Sequence, residues 1–260
     1  MRLVLLPALL GTLNPMDERL SAGERRVLRG EYLGRRIEKL NRGMELLGEL
    51  LGVRWLAYNP IRFYRWHLFA QDTKAGVAES ILSTFPEARS FADIGAGTGT
   101  YAAELRRRGV RTVACENALF GRAFSYWQRL RSRPFDLTQQ PPAELPPTDV
   151  AYCLEVAEHL PPELGDRLVG YLARFPTVLF TAAHPGQGGD DHINEQPKDY
   201  WIERFARDGM ELDPERTERV VAAFRDSGSP WWLVDNAMVF RRAFRPHAAP
   251  PPPRGVAIAH

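Results

Sequence analysis

Short apolar runs alternate with amphipathic segments along most of this chain. An apolar run of four to eight residues bounded by turn-forming residues predicts a buried strand, and apolar residues spaced three and four apart predict a helix with one buried face. The predicted strands are Ser90–Ile94, Arg111–Cys115, Pro134–Leu137, Val150–Leu154, Val178–Thr181 and Met238–Arg242. The predicted helices are Tyr101–Arg108, Phe120–Leu130, Pro162–Phe175 and Tyr200–Arg207. Regular alternation of this kind indicates an α/β fold, a mostly parallel sheet with helices on both faces.

The segment before the first strand follows a different pattern. Its apolar positions recur at spacings of three and four, which predicts an amphipathic helix within Ala22–Leu51. Because this row is shorter than the three to four heptads typical of a coiled coil, we expect it to cap the sheet or the active site rather than form a dimer seam. The aromatic-rich segment Trp55–Phe69 is typical of a hydrophobic core that would join this helical segment to the α/β part of the chain. It could instead form the wall of a substrate pocket.

Composition and charge narrow the class of protein. The chain has 260 residues, 44% of them hydrophobic, which is enough for one α/β domain with an appendage. Its 34 basic and 32 acidic residues leave a net charge of +2, so no broad basic surface for nucleic acid is expected. The apolar run within Met1–Leu13 is too short to span a bilayer and Pro7 interrupts it, so neither a signal peptide nor membrane attachment is expected. The chain is expected to be a monomer or a homodimer.

Three glycines at alternate positions follow the first predicted strand. Asp93 lies near the end of that strand, and Gly95, Gly97 and Gly99 come next. Glycine permits positive φ and lets a ligand approach the main-chain N–H groups closely. The N-terminus of the following helix, which begins near Tyr101, would suit a carboxylate.

The spacing of these glycines differs from that of the common phosphate-binding motifs. Dinucleotide enzymes use G-x-G-x-x-G and P-loops end in Gly-Lys-Ser/Thr, whereas residue 100 is threonine and no lysine follows. Glu116 ends the next predicted strand, where a carboxylate can accept hydrogen bonds from both hydroxyls of a ribose. The same carboxylate would repel a 2′-phosphate, so a nucleoside without that group is favoured.

These motifs occur in the order found in one enzyme family. The segments concerned are Asp93–Gly99, Glu116, Phe135–Leu137 and Asp149–Glu155. Together they resemble the successive motifs of class I S-adenosylmethionine-dependent methyltransferases over residues 86–244. The resemblance implies a Rossmann-like, seven-stranded sheet that binds S-adenosylmethionine as methyl donor. The residues it implies for donor binding are Asp93, Gly95, Gly97, Gly99, Tyr101, Glu116, Asp136, Leu137 and Glu155.

The resemblance also implies particular roles and boundaries. Asp136 would hold the adenine amino group, and Leu137 would offer its backbone and its apolar side chain. Residues 1–85 would form a helical and aromatic cap, and residues 245–260 a proline-rich, disordered tail. The family's strand order places the first strand between Cys115 and Cys153, a separation of about 9–10 Å from strand spacing, beyond disulfide reach. We therefore expect reduced thiols and a cytoplasmic protein.

Two loops at the carboxyl ends of the strands carry candidates for chemistry. In the first, Glu155, Glu158 and His159 would share a face if the chain continues as a helical turn. His159 is the first candidate for a base or an acceptor-orienting group, because its ordinary pKa suits proton transfer near neutrality. The second loop adds His184 and His192, among glycines that suit a lid or an acceptor loop.

These candidates predict methyl transfer to a small molecule, at a hydroxyl oxygen and without a metal. One alternative is a metal-dependent 2′-O-methyltransferase acting on RNA 3′ ends, since its metal-binding set is similar to Glu155, Glu158, His159 and His192. A second alternative is a donor-binding regulatory domain without catalysis.

Overall fold

The chain divides into two compact units, Met1–Arg62 and Phe63–His260, in a computed structural model. The structure describes residues 59–138, 145–189 and 191–243, together with helical residues 39, 40, 42–44, 46, 47, 50 and 51. These last residues confirm helix at the end of the predicted segment Ala22–Leu51. The predictions for the rest of that segment, for Met1–Leu13 and for the tail at 245–260 lie outside the described residues.

Six strands form one sheet in the second unit. They are β1 (Ser90–Ile94), β2 (Arg111–Cys115), β3 (Val150–Leu154), β4 (Thr177–Thr181), β5 (Met210–Leu212) and β6 (Met238–Arg242). Their order across the sheet is β2-β1-β3-β4-β6-β5. The first four strands are parallel, and β6 pairs antiparallel with both β4 and β5. The predicted mostly parallel α/β sheet is confirmed.

Helices connect the strands. They are α1 (Pro60–Thr84), α2 (Thr100–Arg107), α3 (Leu119–Trp127), α4 (Pro162–Leu172), α5 (Lys198–Arg207), α6 (Pro214–Asp226) and α7 (Trp231–Asn236), with a 3₁₀ turn at Ala157–His159. Helix α1 begins where Oδ1 of Asn59 accepts the N–H groups of Ile61 and Arg62 at 2.9 and 3.1 Å, an ordinary N-cap followed by proline. None of the described helices is both long enough and apolar enough to cross a membrane.

The sheet separates two hydrophobic cores, because successive side chains of a strand point to opposite faces. In β3, Ala151 and Cys153 belong to the core that contains Trp201 and Phe205 of α5. Tyr152 belongs to the other core, with residues of α1 and α6. Burial on both faces explains why the parallel strands are continuous apolar runs rather than alternating ones.

One predicted strand is reduced to a single bridge. In place of Pro134–Leu137, only Arg133 pairs with β2, through a parallel bridge to Cys115. Arg133 N–H donates to the Ala114 carbonyl at 2.8 Å and Glu116 N–H donates to the Arg133 carbonyl at 2.9 Å. The next residue is proline, which has no N–H to offer a ladder. The prediction of a strand here is therefore wrong, and the described part of the sheet has six strands rather than seven.

The two cysteines lie on β2 and β3, on either side of β1. Both are buried and free. The prediction that they form no disulfide is confirmed.

Candidate active site

The glycine turn after β1 lies against the end of β2. The N–H groups of Gly95 and Ala96 both donate to the Cys115 carbonyl at 2.9 Å. Gly95, Gly97 and Gly99 have φ values of 78°, 53° and 71°, all in the left-handed region that favours glycine. The backbone conformation that the spacing of these glycines predicts is confirmed.

The three glycines differ in what surrounds them. A Cβ on Gly95 would lie 2.5 Å from Cγ2 of Val156, and one on Gly99 would lie 2.6 Å from Oγ of Ser125. A Cβ on Gly97 would meet no atom of the described residues within 4 Å. Gly95 and Gly99 therefore permit close packing within the protein, whereas the space at Gly97 is open to a ligand.

Glu116 extends from the tip of β2 across the opening of this turn. Its Oε2 accepts the N–H of Gly97 at 2.6 Å, and its Oε1 accepts the N–H of Ala118 at 2.7 Å. Burial raises the pKa of Glu116 above its ordinary value, and the backbone N–H groups offset part of this effect. Two hydrogen bonds thus hold the carboxylate beside the open glycine.

Asp93 lies buried at the end of β1. Burial raises the pKa of this carboxyl to about 8, nearby Glu116 acts in the same direction, and the Tyr152 hydroxyl acts against it. Tyr101, in the first turn of α2, shares a hydrogen bond of 3.0 Å with Thr73 of α1. Burial raises the pKa of Tyr101 to about 12, so this hydroxyl stays neutral.

Asp136 and Leu137 follow the bridge residue Arg133, beside the tip of β2. Oδ1 of Asp136 accepts the N–H and the hydroxyl of Thr138 at 2.9 and 2.7 Å, which forms an Asx turn. The Leu137 carbonyl accepts from Arg167 of α4 at 3.1 Å, and the side chain packs against the core. Both residues are half-buried. The role of Asp136 towards an adenine stays a prediction.

Further groups meet the glycine turn that the sequence patterns did not single out. Nε2 of Gln128 donates to the Thr98 carbonyl at 2.6 Å and to Oγ1 of Thr100 at 3.1 Å. Nδ1 of His67, on α1, lies 3.4 Å from the same Oγ1. These contacts join α1 and the C-terminal end of α3 to the turn. No local sequence motif predicts these contacts, because each of them joins residues about 30 positions apart.

Gly121 of α3 packs beneath the turn and was not predicted as a site residue. A Cβ there would lie 2.7 Å from the Gly97 carbonyl, 2.9 Å from Cε1 of Phe63 and 3.0 Å from Cγ of Glu116. The residues around Gly121 do not indicate that a glycine is needed there, since the need arises from a backbone segment that is distant in the sequence. Gly121 allows α3 to lie against both the glycine turn and Glu116.

We expect Gly121→Ala to weaken donor binding by about tenfold or more, since the added methyl must displace Gly97 or Glu116. Overpacking should also lower the free energy of unfolding by about 1–3 kcal/mol. Calorimetric titration with S-adenosylmethionine and denaturant unfolding would measure the two effects. Gly170→Ala in α4 is the matched control, because its Cβ would have only one neighbour among the described atoms, Oδ2 of Asp208, at 3.7 Å. That change should leave donor affinity unaltered. Equal affinity in both variants would show that Gly121 does not support the site.

On the acceptor side, β3 ends at a strained residue. Glu155 has a φ of 54°, and its N–H donates to Oγ1 of Thr181 at 3.0 Å. Its Oε2 accepts from Gln187 at 3.1 Å and its Oε1 accepts from Asn236 at 3.1 Å, while Asn236 also donates to Gln187 at 2.8 Å. Such strain persists only where surrounding contacts hold it, and it is concentrated at functional sites. Glu155 thus joins the end of β3 to the loop after β4 and to the end of α7.

The helical turn after β3 begins two residues later than Glu155, at Ala157. Glu158 and His159 lie beside His192 of the next loop, and Glu158 also keeps its contact with the Glu155 carboxyl. Potential ligand atoms of Glu158, His159 and His192 all lie within 4.8 Å of one another, and the two imidazole rings are 5.0 Å apart. We call these three residues the His–Glu cluster. Glu155 and His184 do not belong to it.

Glu158 is fully buried within this cluster. Its carboxyl lies within hydrogen-bond reach of the Glu155 carboxyl and of the N–H groups of Glu158 and Ala183, although none of these contacts has regular geometry. Burial and the proximity of Glu155 raise the pKa of Glu158 well above its ordinary value, and nearby backbone N–H groups offset only part of this. A buried carboxylate without firm partners is costly unless it is protonated or binds a cation.

Two further residues of the predicted segments, His184 and Trp66, are not members of the His–Glu cluster. His184 places its Nδ1 3.2 Å from the carbonyl of Pro185, on the exposed part of the loop after β4. Trp66 of α1 lies with its ring 6.4 Å from that of His159. The aromatic segment therefore does contribute a side chain next to the predicted acceptor histidine.

Comparisons with known proteins support the fold. No family model and no curated protein sequence matches the chain. A sugar N-methyltransferase from Streptoalloteichus has a similar structure, with a TM-score of 0.51 and 16% identity over 70% of this chain and 93% of its own. A TehB-like methyltransferase from Corynebacterium glutamicum gives a TM-score of 0.51 with 15% identity over 71% of this chain and 100% of its own. Human N-acetylserotonin methyltransferase, solved with S-adenosylmethionine, gives 0.50 with 12% identity over 71% and 56%. The chain has the fold of the class I S-adenosylmethionine-dependent methyltransferases.

Proposed function

We propose that this protein transfers the methyl group of S-adenosylmethionine to a hydroxyl oxygen of a small molecule. The observation that carries the proposal is the open space at Gly97 beside the carboxylate of Glu116. A nucleoside placed there would lie against the main chain of the glycine turn, with the carboxylate of Glu116 beside its ribose. The similar solved structures are methyltransferases, one of them a sugar N-methyltransferase, which supports this donor and a small polar acceptor.

The acceptor is proposed to bind at the His–Glu cluster. In open parallel sheets, ligands bind outside the carboxyl ends of the strands, and both the glycine turn and the cluster lie at that edge. His159 and His192 would orient the acceptor hydroxyl towards the donor methyl, with Trp66 as an apolar wall. Transfer forms the O–CH₃ bond as the S–CH₃ bond breaks. The bonding pair stays on sulfur, and the hydroxyl proton passes to His159 or to water.

A radiolabelled-methyl assay tests this function. The protein would be incubated with the donor and a panel of sugars, phenols, amines and a short RNA with free 3′ hydroxyls, and mass spectrometry would identify any acceptor that gains one CH₂. We expect turnover on a hydroxyl-bearing compound. Methylation only of amines would overturn the hydroxyl assignment. Methylation only of an RNA with free 3′ hydroxyls would overturn the small-molecule assignment, and tight donor binding without any turnover would favour a regulatory domain.

A further inference from the structure

Helix α3 is apolar on its exposed side as well as on its buried side. Leu119, Tyr126 and Trp127 are 72%, 69% and 69% exposed. They share a face of the helix, because residues seven and eight positions apart are separated by about two turns. A surface helix normally presents charged groups to water, but Arg122 is the only charged residue of α3. The exposed side of α3 is therefore a candidate interaction surface.

The adjacent part of α1 extends this apolar area. Tyr64 and Leu68, one helical turn apart, are 44% and 48% exposed. The Phe124 ring connects the two helices, since its centroid lies 6.5 Å from that of Tyr64 and 5.0 Å from that of Trp127. The α1–α3 surface, as we call it, consists of Tyr64, Leu68, Leu119, Tyr126 and Trp127. Single exposed apolar residues are ordinary, whereas a contiguous group rimmed by polar residues marks an interaction site.

The segment of the chain around α3 is strongly basic. Residues 104–135 include eight arginines and two acidic residues, although the net charge of the whole chain is only +2. One of the two acids, Glu104, pairs with Arg107 and Arg108. The other, Glu116, accepts backbone N–H groups at the glycine turn. The low net charge of the chain thus conceals a local excess of positive charge around α3.

Three of these arginines surround one surface cavity beside the apolar area. The cavity has a volume of about 270 Å³ and is lined by Arg106, Arg107 and Arg129, together with Ala103, Gln128 and Leu130. Arg107 is paired with Glu104, but Arg106 and Arg129 make no ion pair with any residue that the structure describes. Because Gln128 directly follows Trp127, the cavity adjoins the α1–α3 surface.

Arg129 also has an unusual backbone conformation. It lies just after the end of α3 with a φ of 59°, where helices commonly end in a left-handed glycine. Its N–H donates to the Tyr126 carbonyl at 2.9 Å, which completes the helix end. Residues other than glycine are strained in this region, and such strain is concentrated at functional sites. The structure thus keeps a guanidinium at a position where glycine would be less strained.

An anionic lipid surface matches both parts of this region. Guanidinium groups bind phosphate oxygens in a bidentate manner. Leucine, tyrosine and tryptophan side chains insert at the boundary between lipid headgroups and acyl chains, since the two aromatic rings have an apolar body and a polar end. We propose that the α1–α3 surface docks on a bilayer that contains anionic lipids, with Arg106, Arg107 and Arg129 on the lipid phosphates. This departs from the sequence-based expectation of no membrane attachment, and it does not depend on the proposed function.

A second copy of this chain fits the same surface less well. A symmetric dimer places the same surface of both copies in contact, so the two basic segments would face each other and repel. Single-stranded RNA would bind the arginines, and its bases would stack on Tyr126 and Trp127. Leu68 and Leu119, however, have no ring on which a base can stack. A lipid bilayer accommodates the aliphatic and the aromatic residues alike.

Cosedimentation of the full chain with lipid vesicles tests this proposal. We expect binding to vesicles of phosphatidylglycerol and phosphatidylcholine, and much weaker binding to phosphatidylcholine alone. Added salt should weaken the binding, because salt screens the arginines. Trp127→Ala and Leu119→Ala should each lower the partition coefficient about tenfold, through the loss of buried apolar area. Arg129→Gln should lower it about fivefold, the effect of one basic residue at an anionic surface.

Trp231→Ala and Arg225→Gln are the matched controls. Trp231 is 53% exposed on α7, and Arg225 is exposed on α6, so both lie outside the α1–α3 surface. Each control variant should bind vesicles as the native chain does. Denaturant unfolding of every variant would show that a loss of vesicle binding does not come from a loss of folding.

Absence of binding to the mixed vesicles, equal binding to both kinds of vesicle, or equal losses in the surface and control variants would overturn the proposal. A short RNA that binds more tightly than the mixed vesicles, with the same dependence on Trp127 and Arg129, would make RNA the partner instead. Self-association that Trp127→Ala abolishes, without any vesicle binding, would make a second copy of the chain the occupant of this surface.

Discussion

Replacing Gly97 by valine is expected to abolish binding of S-adenosylmethionine, with an affinity loss of more than about 100-fold, equivalent to about 3 kcal/mol. The valine side chain would fill the donor space, where a Cβ on residue 97 has no atom of the described residues within 4 Å. Because that space holds no described protein atoms, the change should not disrupt core packing. Calorimetric titration with the donor measures the loss.

Strain at this position needs its own control, because Gly97 has a φ of 53° and valine is disfavoured there. The backbone strain should lower the unfolding free energy by about 1–3 kcal/mol. Gly109→Val is matched, since Gly109 has a φ of 86° and its Cβ would also meet no described atom within 4 Å, but it lies after α2, away from the turn. Gly109→Val should lose similar stability and keep full donor affinity. Equal donor affinity in both variants would place the donor elsewhere.

Glu116→Ala is expected to weaken donor binding by about 1–3 kcal/mol, or about five- to 150-fold, because charge-assisted hydrogen bonds to the ribose are lost. Glu116→Gln should give a smaller loss, since it keeps one acceptor oxygen and the same shape. Calorimetric titration compares all three chains.

The same substitution also releases the N–H groups of Gly97 and Ala118, which Glu116 holds. A 2′-deoxy analogue of the donor separates the two effects in a double-mutant cycle. The native chain should bind the analogue less tightly than the donor, and Glu116→Ala should bind both alike. Unchanged donor affinity in Glu116→Ala would refute the ribose assignment, and additive losses would show that Glu116 acts only through the loop.

The donor side of the site could be predicted from the sequence because its determinants are local. Positive φ at Gly95, Gly97 and Gly99 follows from residue type within one turn, and Glu116 follows from the end of the next strand. The close packing of Gly121 against that turn could not be predicted, since it depends on where α3 packs. The apolar pattern also predicted a strand at Pro134–Leu137, where the structure has only a bridge at Arg133, since proline has no N–H to donate.

The contacts among the residues proposed to bind the acceptor depend mainly on the tertiary structure. Sequence spacing grouped Glu155 with Glu158 and His159, and the carboxyls of Glu155 and Glu158 do lie in contact. Spacing could not show that Glu155 also binds Asn236, which is 81 positions away in the chain. His192 lies beside Glu158 because contacts between two loops hold it there, among them the hydrogen bonds from the N–H groups of Ile193 and Asn194 to the Glu158 carbonyl.

By itself, the sequence determined the α/β alternation, the glycine turn and the acid that follows it, because apolar periodicity and glycine's backbone freedom act between neighbouring residues. Only the tertiary structure decided which acids and imidazoles converge beyond the strand ends. That convergence depends on strand order and on contacts between loops, and neither is encoded in local spacing.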